Sequence, residues 1–324
     1  MDIAVVIPTY KRPELLIECL RCLERQTIMP EQFEVIVVSD GYDPVTAGAI
    51  STYSRQSRLR ISGLHTPGKA GPAAARNIGW RHARAPLIAF TDDDCRPDPG
   101  WLEAILGHHR RSNAPLMGYT GSTRVPLPEE ITDFALNMTH LQTASFITAN
   151  CACTREALVR VDGFDERFKA AWREDSDLEF KLLSHGIPIE KIEQAVVVHP
   201  VREQVPWGVS IREQKKGLYD ALLYKKYPVL YRSRIQAQPL WYYYTIVASA
   251  IVFLVAFAEA YYRTAFAFGM LWVLMVAFLF LKRVKPVSKR FPHIMEMWVT
   301  SVVIPFVSVY WRLYGAVRYR VFFI

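Results

Sequence analysis

Pro86-Leu87-Ile88-Ala89-Phe90-Thr91-Asp92-Asp93-Asp94 is the stretch that decides the fold. Its apolar half runs without alternation, which predicts a short strand buried on both faces, the kind found in parallel sheets. Three acids follow at once. In open α/β sheets, ligand chemistry lies just beyond the carboxyl ends of the strands. Clustered carboxylates repel one another unless a cation sits between them. A hard divalent ion such as Mg²⁺ or Mn²⁺ takes carboxylate oxygens and keeps places for substrate phosphates. The segment therefore points to metal–diphosphate binding. A solvated acidic turn is the competing reading, because Asp-rich turns are common.

Reading outward, Ile3 to Pro8 and Phe33 to Val38 are further continuous apolar runs, the second ending at Ser39-Asp40-Gly41, and Ile61 to Leu64 is a short one. Pro13 opens a helix to about Arg25 that carries Leu15, Leu16, Cys19, Leu20 and Leu23 on one face. Gly71 to Arg84 is an alanine-rich helix. The alternation predicts a mostly parallel α/β sheet covered on both faces. Downstream, the pattern predicts a helix from Pro99 to about Arg111 and a strand over Met117 to Arg124. Pro126 to Thr143 has no clean period and reads as a loop. Strands follow over Phe146 to Thr154 and Ala195 to His199, with helices over Glu156 to Val161 and Glu174 to His185.

The chain has 324 residues, a formal net charge of +8 and 51% hydrophobic residues. Residues 1–238 have the composition of a soluble α/β domain, and residues 239–324 that of a membrane region. Trp241 to Tyr262 has aromatic ends and an apolar centre of spanning length, and Ala265 to Leu281 is a second run. A buried core helix is the alternative for each. Lys and Arg lie on both outer flanks, so the positive-inside rule puts the N-terminal domain on the cytoplasmic side of the inner membrane. Ile294 to Tyr314, interrupted by Pro305 and followed by arginines, reads as re-entrant, interfacial or spanning, with the C-terminus inside. The basic charge borders membrane-like runs and no nucleic-acid motif accompanies it, so a nucleic-acid partner is not expected. Five cysteines without a dense framework fit reduced thiols. A zinc site from Cys19/Cys22 and Cys151/Cys153 is the weaker alternative to packing. Met1 runs almost directly into the first strand, so no signal peptide is expected.

Six motifs in order resemble the family 2 glycosyltransferases of GT-A fold. They are Val6-Ile7-Pro8-Thr9-Tyr10-Lys11-Arg12, Val38-Ser39-Asp40-Gly41, Gly71-Pro72-Ala73-Ala74-Ala75-Arg76-Asn77-Ile78-Gly79, Phe90-Thr91-Asp92-Asp93-Asp94, Gly163-Phe164-Asp165-Glu166 and Arg173-Glu174-Asp175-Ser176-Asp177-Leu178. The resemblance covers about residues 1–200 and is to the membrane-anchored, non-processive bacterial type. It implies a Rossmann-like, mostly parallel sheet and inverting transfer of a sugar from a nucleotide-sugar.

Carried across, the resemblance places Pro8, Thr9, Tyr10, Arg12, Asp40, Arg76, Asp92 and Asp93 around the nucleotide-sugar. Asp40 accepts from the base, most often uracil, so a UDP-sugar is favoured. Asp92 and Asp94 are the D-x-D acids, with Asp94 the more direct ligand of Mg²⁺ or Mn²⁺ and His199 within reach of the metal or diphosphate. Asp175 is the catalytic base. Trp172, Glu174, Arg202 and Trp207 are acceptor or diphosphate candidates. Each role has a plainer counterpart: a helix-cap acid for Asp175, a bystander in the turn for Asp93, a structural histidine for His199, core aromatics for the tryptophans and a solvated arginine for Arg202. The chemistry fits the implied roles. A divalent ion stabilises charge on a diphosphate leaving group, and an acceptor hydroxyl needs a base as it attacks.

Where processive members carry Q-x-x-R-W, this chain has Gln214-Lys215-Lys216-Gly217-Leu218, which favours a single addition over a polysaccharide synthase. A retained base favours a hydroxyl acceptor, on a lipid-linked saccharide or glycolipid, over the phosphate of a polyprenyl carrier. A nucleotidyltransferase would be expected to carry a glycine-rich loop after the first strand, where Thr9 to Pro13 has no glycine. A catalytically silent membrane-anchored scaffold leaves Asp40, Asp92, Asp94 and Asp175 without a reason to occur together.

Overall fold

The computed structural model describes residues 1–202 and 205–323. The elements, in order, are β1 (Ile3–Thr9), α1 (Pro13–Glu24), β2 (Phe33–Ser39), α2 (Pro44–Gln56), β3 (Ile61–His65), α3 (Pro72–His82), β4 (Leu87–Phe90), β5 (Arg96–Pro97), α4 (Trp101–Ser112), β6 (Gly118–Arg124) and α5 (Asp133–Met138). There follow β7 (Cys151–Thr154), α6 (Arg155–Val161), α7 (Glu174–Ser184), β8 (Ile189–Val198), α8 (Val209–Glu213), α9 (Leu218–Lys226), α10 (Pro228–Arg234), α11 (Trp241–Ala258), α12 (Tyr262–Val284) and α13 (Phe291–Tyr319). Two compact units result. The first comprises Met1–Pro126 and Thr139–Val201, the second Leu127–Met138 and Arg202–Ile324.

The first unit is built on one eight-stranded sheet of order β3-β2-β1-β4-β7-β6-β8-β5. The strands from β3 to β4 are parallel, whereas β7 runs antiparallel to both β4 and β6. β6 and β8 are parallel again, with a register shift between Gly121 and Ser122. Alternate residues of a strand point to opposite faces, and here both faces are buried. Ile3, Val5 and Ile7 of β1 pack with Leu16, Leu20 and Leu23 of α1 and Trp101 and Ile105 of α4. Ala4 and Val6 pack on the other face with Ala73, Ala75 and Trp80 of α3 and Leu178 and Leu182 of α7. This two-sided burial explains the unbroken apolar runs. It is the mostly parallel GT-A-like architecture expected.

Three local readings change. Phe146 to Asn150 is irregular and only Cys151–Thr154 pairs as a strand. The last strand starts at Ile189, earlier than its apolar residues suggested, because its first half is only partly covered. Pro126 to Thr143 is not a plain loop: it contains α5 and a 3-10 turn, Thr139–Gln142.

The second unit holds α5 through Asp133, which accepts from Arg283 at 2.8 Å, and through Ile131, whose carbonyl accepts from the Ser288 N–H. Helices α11, α12 and α13 are each long and apolar enough to cross a membrane. α11 and α12 form a hairpin whose Ile246, Val276 and Leu279 pack together, with Val302 and Phe306 of α13 against them. α13 continues unbroken through Pro305. Among the described residues, hydrogen bonds tie α13 to several other segments of the second unit. Arg283 donates to Thr300 and Ser301, Glu296 accepts from the Gly208 N–H, Arg312 donates to Gln236, and the Tyr319 carbonyl accepts from Lys225.

Candidate active site

β1 and β4 are neighbours, and strand order reverses at β1, so their carboxyl ends border the crevice where open α/β sheets bind ligands. The acid triplet begins two residues after β4. Its three carboxylates take three directions. Asp92 Oδ1 accepts from Arg76 at 2.6 Å. Asp94 Oδ2 accepts from Arg12 at 2.9 Å, and its Oδ1 lies 3.7 Å from His199 Nε2. Ligand atoms of Asp92, Asp94, Cys95 and His199 all lie within 4.8 Å of one another. His199 is brought there by β8, whose pairing with β6 ends one residue earlier, and its N–H donates to the Arg124 carbonyl.

Asp93 is set apart from the other two acids. It is completely buried, accepting from the Thr9 hydroxyl at 2.7 Å and pairing with Arg12 at 2.5 Å. It braces the end of β1 through these two partners. Burial pushes its carboxyl up to about 6 against the pull of Arg12. Thr9 and Arg12 are occupied in the same brace, so their side chains act on the acid turn. Pro8 is buried inside β1, opposite Val38. Tyr10 stays exposed, with Lys69 Nζ 4.4 Å above its ring.

Asp40 ends β2 and is nearly buried. Its Oδ1 accepts from the Ala70 N–H at 2.6 Å and the Gly71 N–H at 3.0 Å, which shapes the loop before α3. Gly71 has φ +95°, and a Cβ there would lie 2.6 Å from the Lys169 carbonyl oxygen, so only glycine fits.

Arg76 is the hub. It is 2% exposed and donates to Asp92 and, at 3.2 Å, to Glu174. Burial alone would lower its affinity for a proton, yet Asp92 and Glu174 outweigh that and raise it. Glu174 and Asp175 open α7. Burial, and then the neighbouring Asp175, raises the Glu174 carboxyl, with Arg76 opposing. Burial also raises Asp175, which stays partly accessible and accepts from the Ser176 N–H at 2.6 Å. Glu174 is therefore a buried partner of Arg76. Trp172 carries the Arg173 guanidinium 4.5 Å over its ring, and Arg173 sits at φ +71°. Arg202 and Trp207 belong to the second unit, where both are exposed.

Three contributors escaped sequence reading. Cys95 lies beside Asp92 and Asp94, but burial raises its thiol well above the usual range, and a neutral thiol is no partner for a hard cation. Asn150, fully buried, donates to the Ser122 and Ala195 carbonyls and accepts from Trp101, thereby filling the β6/β8 irregularity that leads to His199. Asn77 clamps the Gly163-Phe164 turn to α3, donating to the Phe164 carbonyl and accepting from its N–H. Both asparagines are distant in sequence from what they hold, so only a motif could have flagged them.

A Rossmann-like sheet with acids past β4 and a carboxylate at the start of α7 defines the class. The chain belongs to glycosyl transferase family 2: the profile of "Glycosyl transferase family 2" matches residues 4–168, and that of "Glycosyl transferase family group 2" matches 87–281. It is 33% identical over 223 residues to validoxylamine A glucosyltransferase of Streptomyces hygroscopicus subsp. limoneus, covering 58% of this chain and 49% of the relative. It is 29% identical over 218 residues to pre-mycofactocin glycosyltransferase of Mycobacterium tuberculosis, covering 63% and 44%. The chain thus spans about half the length of these curated relatives. In fold it is similar to the mannosyltransferase PcManGT of Pyrobaculum calidifontis, solved with GDP-Man and Mn²⁺, at TM-score 0.60 and 18% identity over 97% of this chain and 87% of that one.

Proposed function

We propose that the protein transfers a single sugar, with inversion, from a nucleotide-sugar to a hydroxyl of a lipid-linked saccharide or glycolipid at the cytoplasmic face of a membrane. The observation that carries this reading is the convergence of Asp92, Asp94 and His199 within 4.8 Å at the end of β4. Two carboxylates and an imidazole suit Mg²⁺ or Mn²⁺. Asp94 and Asp92 would hold the ion, with His199 beside them. When bound, the ion supplies positive charge to the diphosphate leaving group.

The remaining work falls to the chain. Asp40 keeps its loop in shape through one oxygen and presents the other to the base, a UDP preference. Tyr10 offers its ring. Arg76 sets the position of Asp92 and of the start of α7 together. Asp175 takes the proton from the acceptor hydroxyl as that oxygen attacks the anomeric carbon. Its accessibility beside the buried Glu174 supports the assignment.

The membrane reading rests on α11 and α12 crossing as a hairpin. α13 lies across their open end in the interface plane. Support comes from its bonds to Arg283 in the last turn of α12 and to Gln236 just before α11, and from its outward stripe of Phe291, Met295, Trp298, Tyr310, Leu313 and Val317, all exposed.

The test is nucleotide release from UDP-, GDP- and dTDP-sugars by detergent-purified full chain, with Mn²⁺ or Mg²⁺ and a host lipid extract. Metal-dependent, lipid-stimulated release lost in both Asp94→Ala and Asp175→Asn supports the proposal. Release that survives Asp175→Asn would move the acceptor to a phosphate, which needs no base. No release and no metal-dependent nucleotide binding would overturn it.

A further inference from the structure

We infer that Arg232, Tyr244 and Arg312 of the second unit form a binding site for a phosphate carried by a membrane lipid, separate from the acid cluster of the first unit. Arg312 is 7% exposed, and its Nη1 is buried without a hydrogen bond. Its other terminal nitrogen donates to Gln236 Oε1 at 2.7 Å. Arg232 Nη1 is likewise buried without a hydrogen bond, and so is the Tyr244 hydroxyl. Both guanidinium groups lie within electrostatic reach of that hydroxyl, Arg312 close enough to hydrogen-bond it. Two guanidinium groups, each with a terminal nitrogen left over, and one hydroxyl are therefore neighbours.

The cations are held by rings and not by acids. Arg232 lies 4.9 Å over Tyr224 and Arg312 5.5 Å over Phe323, and those two rings are 5.2 Å apart. Neither arginine forms an ion pair with an acid among the described residues. Asp220 Oδ2 and the stem of Arg312 both lie within 4.0 Å of the place a Cβ on Gly217 would take. Arg312 is buried and Arg232 half-buried; two such cations without an ion-paired acid repel each other, and each buried donor nitrogen left unused costs stability. A phosphate relieves both, offering oxygens that guanidinium groups bind in pairs.

The site's position selects a lipid as the carrier. Tyr244 lies in the first turn of α11, next to Trp241, Tyr242 and Tyr243, a belt of rings suited to head-group depth. Arg232 lies in the last turn of α10, just before it, and Arg312 sits on α13 off that helix's exposed apolar stripe. This placement rests on the hairpin crossing a membrane. The site itself does not depend on sugar transfer.

Native mass spectrometry of the detergent-purified full chain tests it, with phosphatidylglycerol, a polyprenyl phosphate, diacylglycerol or inorganic phosphate added at equal concentration. The expected result is retention of one or both phosphate-bearing lipids, at least tenfold above diacylglycerol. The better-retained lipid then tells whether the phosphate belongs to bulk lipid or to an isoprenoid carrier. Retention should fall at least tenfold in Arg232→Gln/Arg312→Gln. Tyr244→Phe and Arg312→Lys keep the bulk of the residues and should each weaken retention if the double variant does not fold. Retention unchanged in the well-folded variants would overturn the site. So would binding no better than diacylglycerol, or binding of inorganic phosphate without any preference for lipid. Binding is read without turnover, so failure of the transferase assay leaves this result standing.

Discussion

Arg76 donates to Glu174 at 3.2 Å and so ties the start of the helix carrying Asp175 to the loop carrying the acid triplet. One guanidinium reaches both sides of the crevice because its other arm donates to Asp92. The relative placement of the acid cluster and the start of α7 is thus set by a single buried cation.

Replacing that cation separates positioning from charge. Arg76→Ala leaves the Glu174 carboxylate buried and unpaired, which costs about 3–5 kcal/mol. Arg76→Lys keeps the charge but cannot bridge two carboxylates in a plane. We expect the Lys variant to fold and to lose about 10²-fold in kcat, with donor KM changing far less, since misplacement alone has that size of effect. Thermal melts and steady-state kinetics on both variants decide it. A Lys variant with wild-type kcat removes Arg76 from the positioning role.

Asp93 distinguishes support from contact. Asp93→Asn removes the charge facing Arg12 and should cost about 1–3 kcal/mol, discounted because Arg12 itself reaches water. Donor KM should stay within about threefold, whereas Asp94→Asn should raise it by an order of magnitude or more. Comparable KM increases in both variants would mean that Asp93 touches the donor after all.

The pH profile carries a signed prediction. Burial raises the Asp175 carboxyl, and a base accepts a proton only when ionised. Activity is therefore present above this raised value and is lost as pH falls through it, at a pH higher than an ordinary aspartate would give. Glu174→Gln removes the adjacent like charge while keeping an acceptor for Arg76, so the acid limb of kcat/KM should move to lower pH. A limb that stays put or moves up shows that the pair does not control the step.

Asn150 is a stability prediction with a functional echo. Asn150→Ala strands the Trp101 N–H and two carbonyls, at about 1–3 kcal/mol for each unsatisfied group. We expect a clear drop in Tm and a loosened end of β8, seen as weaker Mn²⁺ affinity when His199 drifts. A Tm within a degree of wild type would show that water replaces the side chain.

The comparison of sequence with structure turns on particular residues. Unbroken apolar runs ending in Asp40 and in Asp92-Asp93-Asp94 located two strand ends and their acids, because burial on both faces writes itself into consecutive residues. The Trp241 and Ala265 runs announced two helices of spanning length for the same kind of local reason. The Glu174-Asp175 pair was legible only as a pair, since adjacent residues at a helix start diverge and nothing local says which one turns inward.

What the sequence by itself determined, then, is the order of strands and helices and the residue types at the strand ends, all set by local period and run length. What only the tertiary structure decided is which oxygen of each acid faces the crevice. It also turned Asp93 inward onto Thr9 and Arg12, set Arg76 between Asp92 and Glu174, and brought Cys95 beside His199. These outcomes depend on side chains far apart in the chain competing for the same buried partners, and that competition is resolved only when the sheet and helices have packed.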